Sequence, residues 1–414
     1  MYRRIAQLLV ALVATVGVLV TGTPEADAAR SSSMAESRLI TDTTDVYLFP
    51  QVGVEHARLL SLDYGFAPAE GAGLALFGDE QLAFGAGLYQ GDVLVPDRFF
   101  FHPTGHGRLG NITNPIEPTG DAGDPHTIGD LFVSSDIGGG LIGARLTFGS
   151  GGVASVNADD EQQALNHHFA GVTVGYSLVD QVRIDTSFTG QFSLASETDE
   201  SADEERLGEG NSFLVGASLR GFSPMADDME LGFLADLYFD RQSWTDDPDD
   251  EEIGGTAILS RFSALGGVGP AYNIDDETEI AAYGVLGYLR TDTDPSAHDD
   301  ELYDASFSSR LVVPGVHVAT DIQLFEWLFF RTGAQYNFAI DTDGSEIDPE
   351  DNDRDNVFTR DRVSGFGWQA GLGVKVDRFS LDGVFQHGFV AGGPDFLGDP
   401  AGSMFTMVSA SYDF

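Results

Sequence analysis

The sequence predicts an all-β chain folded as a closed antiparallel transmembrane β-barrel of about 16 strands, the range running down to roughly 12, with long acidic extracellular loops. Three observations predict it. Apolar and small or polar residues alternate with period two along most of the chain. The links between the alternating stretches are by turns long and short. The acid is concentrated in the long links.

Composition sets the bounds. The 414 residues carry 21 Lys and Arg against 66 Asp and Glu, a formal net charge of −45. Such a charge repels phosphate backbones and excludes a nucleic-acid partner. The chain is nonetheless 42% hydrophobic and 11% aromatic, so it has the apolar surface to fold and the acid must be segregated. With no Cys there is no disulfide framework, thiolate metal site or lipid-modified cysteine. The 51 Gly beside 30 Phe suit strands in which small and large side chains alternate.

The N-terminus reads as an export signal. Arg3 and Arg4 precede an apolar run from Ile5 to Val20, and Ala26-Asp27-Ala28 offers a cleavage site after Ala28. The run is shorter than the ~20 residues a spanning helix needs. Residues 1–28 are therefore expected to be a cleaved signal peptide, and the mature chain to act outside the cytoplasm.

After it, the period is two. From Gln181 to Leu194, Val182, Ile184, Thr186, Phe188, Phe192 and Leu194 share one face, while Arg183, Asp185, Ser187, Thr189, Gln191 and Ser193 share the other. Gly365–Val376 repeats the pattern, with Phe366, Trp368, Ala370, Leu372 and Val374 opposite Gly367, Gln369, Gly371, Gly373 and Lys375. Residues 170–178, 213–219, 231–239 and 330–338 read alike. A soluble sandwich would alternate too. The links decide for a membrane.

Those near 92–128, 150–167, 195–210, 245–255, 294–302, 342–362 and 393–401 are long. Those near 78–81, 138–140, 179–180, 224–227, 275–276, 324–325 and 377 are short. Outer-membrane barrels combine short periplasmic turns with longer extracellular loops, and an even strand number puts both termini at the periplasmic side. Residues 54–414 are assigned to the barrel and residues 29–53 to a periplasmic lead-in or short hatch.

The last residues, Met404 to Phe414, alternate Val408, Ala410, Tyr412 and Phe414 on one face. This resembles the terminal strand of bacterial outer-membrane β-barrels. The resemblance implies that Tyr412 and Phe414 are read by the barrel-assembly machinery and that the strand pairs with the first to close the barrel. Residues 42–50, Asp-Thr-Thr-Asp-Val-Tyr-Leu-Phe-Pro, resemble more faintly the segment before the barrel in the long-chain fatty acid transporter family, with Phe49 where that family has Asn before Pro. There the segment is a hatch inside the barrel. A simple periplasmic lead-in is the alternative, and the preferred one.

Several residues are candidates for chemistry. Arg145, Arg183, Arg220, Arg261, Arg331 and Lys375 fall on the small-residue faces of their strands; a charge on the lipid face near mid-bilayer costs about 2–4 kcal/mol, so they are expected in the lumen. They would either pair with Asp185, Asp236 and Asp382 or form a constriction selective for anions. The acidic links are expected to be solvated and mutually repelling, holding loosely bound divalent cations at most. Asp341, Asp343, Asp348 and Asp351 are the weak calcium candidates, without the spacing or helices of an EF-hand. His102, His106 and His126 lie in or beside the long 92–128 link, a candidate for folding into the lumen, and are expected not to bind metal. No Gly-x-Ser-x-Gly element or legible nucleophile–base pair is present, so no enzyme is expected, and no cofactor beyond those cations.

The sequence thus leads to a porin-like channel for passive diffusion of small hydrophilic solutes in the outer membrane of a Gram-negative bacterium. Its partners would be outer-membrane lipid, the assembly machinery and small-molecule solutes. The alternatives are a hydrophobic-substrate transporter of the fatty-acid type, and a structural or adhesive surface barrel.

Overall fold

A computed structural model describes residues 30, 33–35, 37–65, 71–90, 127–156, 162–199, 205–246, 256–275, 278–294, 305–346, 357–385 and 405–414. Sixteen antiparallel strands form one closed barrel in simple sequential order. The first four are β1 (Leu59–Gly65), β2 (Gly71–Gly78), β3 (Leu82–Gln90) and β4 (Thr127–Asp136). The long strands follow: β5 (Gly140–Val156), β6 (Gln162–Val179), β7 (Arg183–Asp199), β8 (Glu205–Ala226) and β9 (Met229–Asp246). They continue through β10 (Thr256–Asp275), β11 (Thr278–Asp294), β12 (Ala305–Phe325), β13 (Leu328–Glu346) and β14 (Val357–Val376). Two short ones, β15 (Phe379–Phe385) and β16 (Phe405–Asp413), finish the wall.

Closure is made by β1 and β16, in register from Leu59↔Asp413 to Gly65↔Met407. Every strand thereby has a hydrogen-bonded neighbour on both sides, which hydrocarbon requires because it offers backbone groups no other partner. The Phe414 amide donates to the Arg58 carbonyl at 2.9 Å, and the Phe414 ring lies 5.5 Å from that of Phe77. Phe77 stacks on Phe84, and Phe325 stacks on Trp327 at the β12–β13 turn. These rings form part of an aromatic girdle at the short-turn end, where amphipathic rings meet the headgroups.

All seven turns expected to be short are short. At β2–β3, Asp79 accepts from the amides of Gln81 (2.9 Å) and Leu82 (3.1 Å). These bonds hold its carboxyl below the usual range. Their support for the turn is present above the unfolded carboxyl pKa and fades as pH falls through the lower folded value.

The long links differ from expectation. Ladders run well into the acidic stretches: β7 reaches Asp199, β8 starts at Glu205 and β13 continues to Glu346. Strands of 17 to 22 residues exceed the ~9–11 needed to cross a bilayer, so the wall extends beyond the membrane on that side. Asp341 and Asp343 consequently sit on β13 and not in a loop. Asp341 accepts two bonds from Arg310, both 2.8 Å, which gives its carboxylate a partner other than calcium. Asp348, Asp351, the signal peptide, the 92–126 part of the long link and His102, His106 and His126 lie outside the described residues.

The two faces separate cleanly. On β7, Phe188 is 63% exposed while its neighbour Ser187 is 1% exposed. Phe84, Leu88, Leu131, Leu146, Phe148, Phe192 and Phe366 likewise face out, where lipid would solvate them. On β12 the register shifts between Val312 and Gly315, at Pro314, so the inward positions change from Arg310 and Val312 to His317, Ala319 and Asp321. Pro314 has no amide to give the ladder, and a bulge is where a sheet tolerates that.

Candidate functional site

The wall begins at Leu59, not at residue 54, because Glu55–Arg58 are used to bring the chain out of the lumen. The preceding segment is inside. Two 3-10 turns, Thr43–Tyr47 and Pro50–Val54, shape it. Asp42 caps the first: its carboxylate accepts from the Thr43 amide (2.6 Å), and the Asp42 amide donates to Asp45 (3.0 Å). Pro50 opens the second, its fixed φ suiting the start of a helical turn.

This segment bridges the barrel. Val46, Tyr47, Phe49 and Val52 pack with Leu59 of β1, Ala72, Leu74 and Leu76 of β2, and Ile128 and Phe132 of β4. Met34, Leu39 and Ile40 pack on the far side with Phe222, Leu234, Ala271, Ala281, Tyr283 and Ala319, from β8 to β12. Phe49, Leu39 and Val46 have no exposed surface. The wall makes room with glycine. A Cβ at Gly143 would lie 2.3 Å from the Gln51 amide nitrogen, and one at Gly333 would lie 2.1 Å from the Met34 carbonyl carbon. Gly143→Ala is therefore expected to push the segment off the wall, at about 1–3 kcal/mol of overpacking. Limited proteolysis should show faster cleavage between residues 37 and 58 with the barrel itself still resistant.

Ion pairs fasten the segment to the β7–β12 side. Arg30 reaches Asp321 of β12 at 3.0 Å, and Arg38 pairs with Asp236 of β9. Asp45 accepts from Arg220 of β8 at 2.7 Å, and Glu55 accepts from Arg183 of β7 at 3.0 and 2.9 Å. Hydrogen bonds to uncharged groups add to these. Gln51 donates to Ser177 (3.0 Å), Arg145 donates to the Tyr47 carbonyl (2.7 Å), and His317 holds the Ala35 carbonyl with one ring nitrogen and Tyr283 with the other. These wall residues lie toward the short turns, so the segment occupies that half of the lumen.

Arg145, Arg183, Arg220, Arg261 and Arg331 each lie against a carboxylate of the wall. Arg145 binds Asp130 at 2.7 and 2.9 Å, with Thr147 on the same carboxylate. Arg183 and Arg220 converge on Asp185, which also accepts from Ser177 at 2.6 Å. Arg331 bridges Asp321 and Asp382, and Arg261 binds Asp240 at 3.0 Å. Lys375 is exposed at the short-turn mouth, where a cavity of about 700 Å³ is lined by it with Arg30, His56, Glu279, Asp321 and Asp382. Sequence reasoning gave Asp185 and Asp382 as partners but missed Asp130 and Asp240. It also missed that Asp236 is taken by Arg38 of the inner segment. Period two assigns a face, but it does not say what stands across the lumen.

Beyond the segment, toward the long links, the inner wall carries apolar side chains, most of them buried against one another. Leu265, Val312 and Ala339 share one cross-strand row through Gly287, with Leu289 packed beside them. Higher up, Trp244 lies over Gly208 and Gly210 and packs with Ala195 and Leu259.

The molecule combines an apolar outer belt, a closed hydrogen-bonded wall and a charged, packed interior. The architecture is that of a bacterial outer-membrane β-barrel. No family model matches the chain, and no curated protein does. Solved structures do. The chain is similar to a FadL homologue of Pseudomonas aeruginosa, with 12% identity, 95% of this chain and 99% of that one covered, and a TM-score of 0.38. It is similar to the ferric yersiniabactin uptake receptor FyuA of Yersinia pestis, with 9% identity, 86% and 79% covered, and a TM-score of 0.37. The β domain of the Bordetella autotransporter BrkA matches with 13% identity, 67% and 100% covered, and a TM-score of 0.29.

Proposed function

We propose that this barrel is a transporter closed by an N-terminal hatch, which passes small hydrophobic or amphiphilic molecules across the outer membrane. The observation that carries the reading is the inner segment, packed against walls on both sides of the lumen and ion-paired to one of them. An open porin has no use for apolar packing across its channel. Half-buried Leu265 and Leu289, packed on buried Val312 and Ala339, favour a substrate with hydrocarbon character, since a porin lumen is polar. The paired state of the five arginines supports anchoring over an anion-selective ring.

The chain is exported by its cleaved signal peptide, assembled through Tyr412 and Phe414, and carries no catalytic role. The acidic stretches beyond the membrane hold divalent cations only loosely.

The test is single-channel recording of the full mature chain, refolded into a planar bilayer. Wild type is expected to give no steady large conductance, and to bind a fatty acid probe saturably. A steady porin-sized conductance without saturable binding would restore the passive-channel reading.

A further inference from the structure

The inner wall between the hatch and the long links is layered by side-chain chemistry. On β11 to β13 the aliphatic row Gly287–Val312–Ala339 is followed, two residues nearer the long links, by Leu289–Arg310–Asp341. Two residues further on, Thr291, Ser308, Asp343 and Thr359 stand side by side on four consecutive strands, each paired directly with the next. Thr293 and Ser306 lie above them, and the group lines a cavity of about 380 Å³.

The two polar layers differ in what they leave available. Arg310 and Asp341 satisfy each other through two parallel bonds. Among the described residues, the hydroxyls of Thr291, Thr293, Ser306, Ser308 and Thr359 make no side-chain hydrogen bond. Each can donate one proton and accept at two lone pairs. A shelf of free hydroxyls with one carboxylate acceptor matches a neutral polyol, whose own hydroxyls both donate and accept. It matches an anion poorly, because Asp343 repels it.

We propose that this shelf is an entry subsite for the polyhydroxylated head of an amphiphile, a sugar or polyol carrying a hydrocarbon tail. The tail then points toward Leu289 and Leu265, the half-buried members of the aliphatic row. The proposal rests on the hydrophobic-transport reading for the tail and on the hydroxyl row for the head.

The test uses the full mature chain in lipid nanodiscs, with empty discs as the partitioning blank, and equilibrium dialysis of three probes. Octyl β-glucoside carries head and tail, 1-octanol the tail alone, and methyl β-glucoside the head alone. Wild type should bind octyl glucoside about tenfold more tightly than octanol, the worth of one or two net hydrogen bonds. Ser308→Ala with Thr359→Val should remove that advantage and leave octanol binding unchanged, which also shows that the variant has folded. Equal affinity for octyl glucoside and octanol in wild type, or an advantage that survives the double substitution, overturns the subsite alone. Loss of glucoside binding on calcium chelation overturns it in favour of a cation site at Asp343. Saturable binding of methyl glucoside without octanol supports the shelf and overturns the hydrophobic-transport reading. Binding of none of the three overturns both.

Discussion

A chain lacking residues 30–58 is expected to conduct steadily where the intact chain is quiet, with a conductance about tenfold or more above the wild-type leak. Barrels of sixteen strands leave an aqueous channel when nothing fills them. Here the filling is the inner segment, whose Leu39, Val46, Phe49 and Val52 are buried between opposite walls. The barrel should survive the deletion. Its closure is made by β1 with β16, and Asp185, Asp321 and Asp382 keep Arg183, Arg220 and Arg331 as partners. Asp236 loses Arg38 but gains water. The check is single-channel recording of the two chains side by side, with resistance to proteolysis confirming that both have folded. Equal conductance would mean that the segment does not close the lumen.

How much of this was legible beforehand varies with the kind of interaction. The alternation at Phe188 and Ser187 assigns each side chain to lipid or lumen because a strand has only two faces. The seven short turns were legible because Gly138, Pro224 and Asp377 punctuate the period. The ends of the long strands were not. Asp199, Asp246 and Asp343 read as loop by their charge, yet a ladder beyond the bilayer has no reason to stop at an acidic residue when water solvates the side chain. The inner segment left only faint signals: the Asp42–Asp45 capping pair, Pro50, and an apolar run from Val46 to Phe49 too short for a strand. Its binding to Asp236, Asp321 and Arg220 joins residues about 175 to 290 positions apart. Pairing across a lumen depends on barrel diameter and shear, which no local pattern carries. Glycine is the exception that could have been read. Gly143, Gly175 and Gly333 all lie on inward positions where a side chain would meet the segment, and an inward glycine is a mark of close backbone approach.

Arg220→Ala should be among the most destabilising single substitutions in the barrel, lowering unfolding free energy by about 3–5 kcal/mol. Arg220 is 1% exposed and lies between Asp185, with no exposed surface, and Asp45 of the inner segment. Its guanidinium also sits over the rings of Phe49 (4.9 Å) and Phe222 (5.5 Å), so the change removes packing as well as charge. Breaking such a pair costs more than the pair contributes, because it strands a desolvated carboxylate. Asp185 keeps Arg183 and Ser177, which places the expected loss toward the lower end of that range. Arg290→Ala is the control. Arg290 and Asp292 form an exposed pair two residues apart on β11, and surface pairs of that kind contribute about 1 kcal/mol or less. Denaturant unfolding of both variants in lipid vesicles, followed by Trp fluorescence, separates the two cases. Asp45→Asn in the Arg220→Ala background then isolates the share that belongs to the hatch. If Asp45→Asn destabilises as much without Arg220 as with it, the two side chains are not coupled and Arg220 belongs to the wall alone. If its effect largely vanishes there, the same arginine secures the wall and holds the hatch, and displacing the hatch requires breaking that bond inside the barrel.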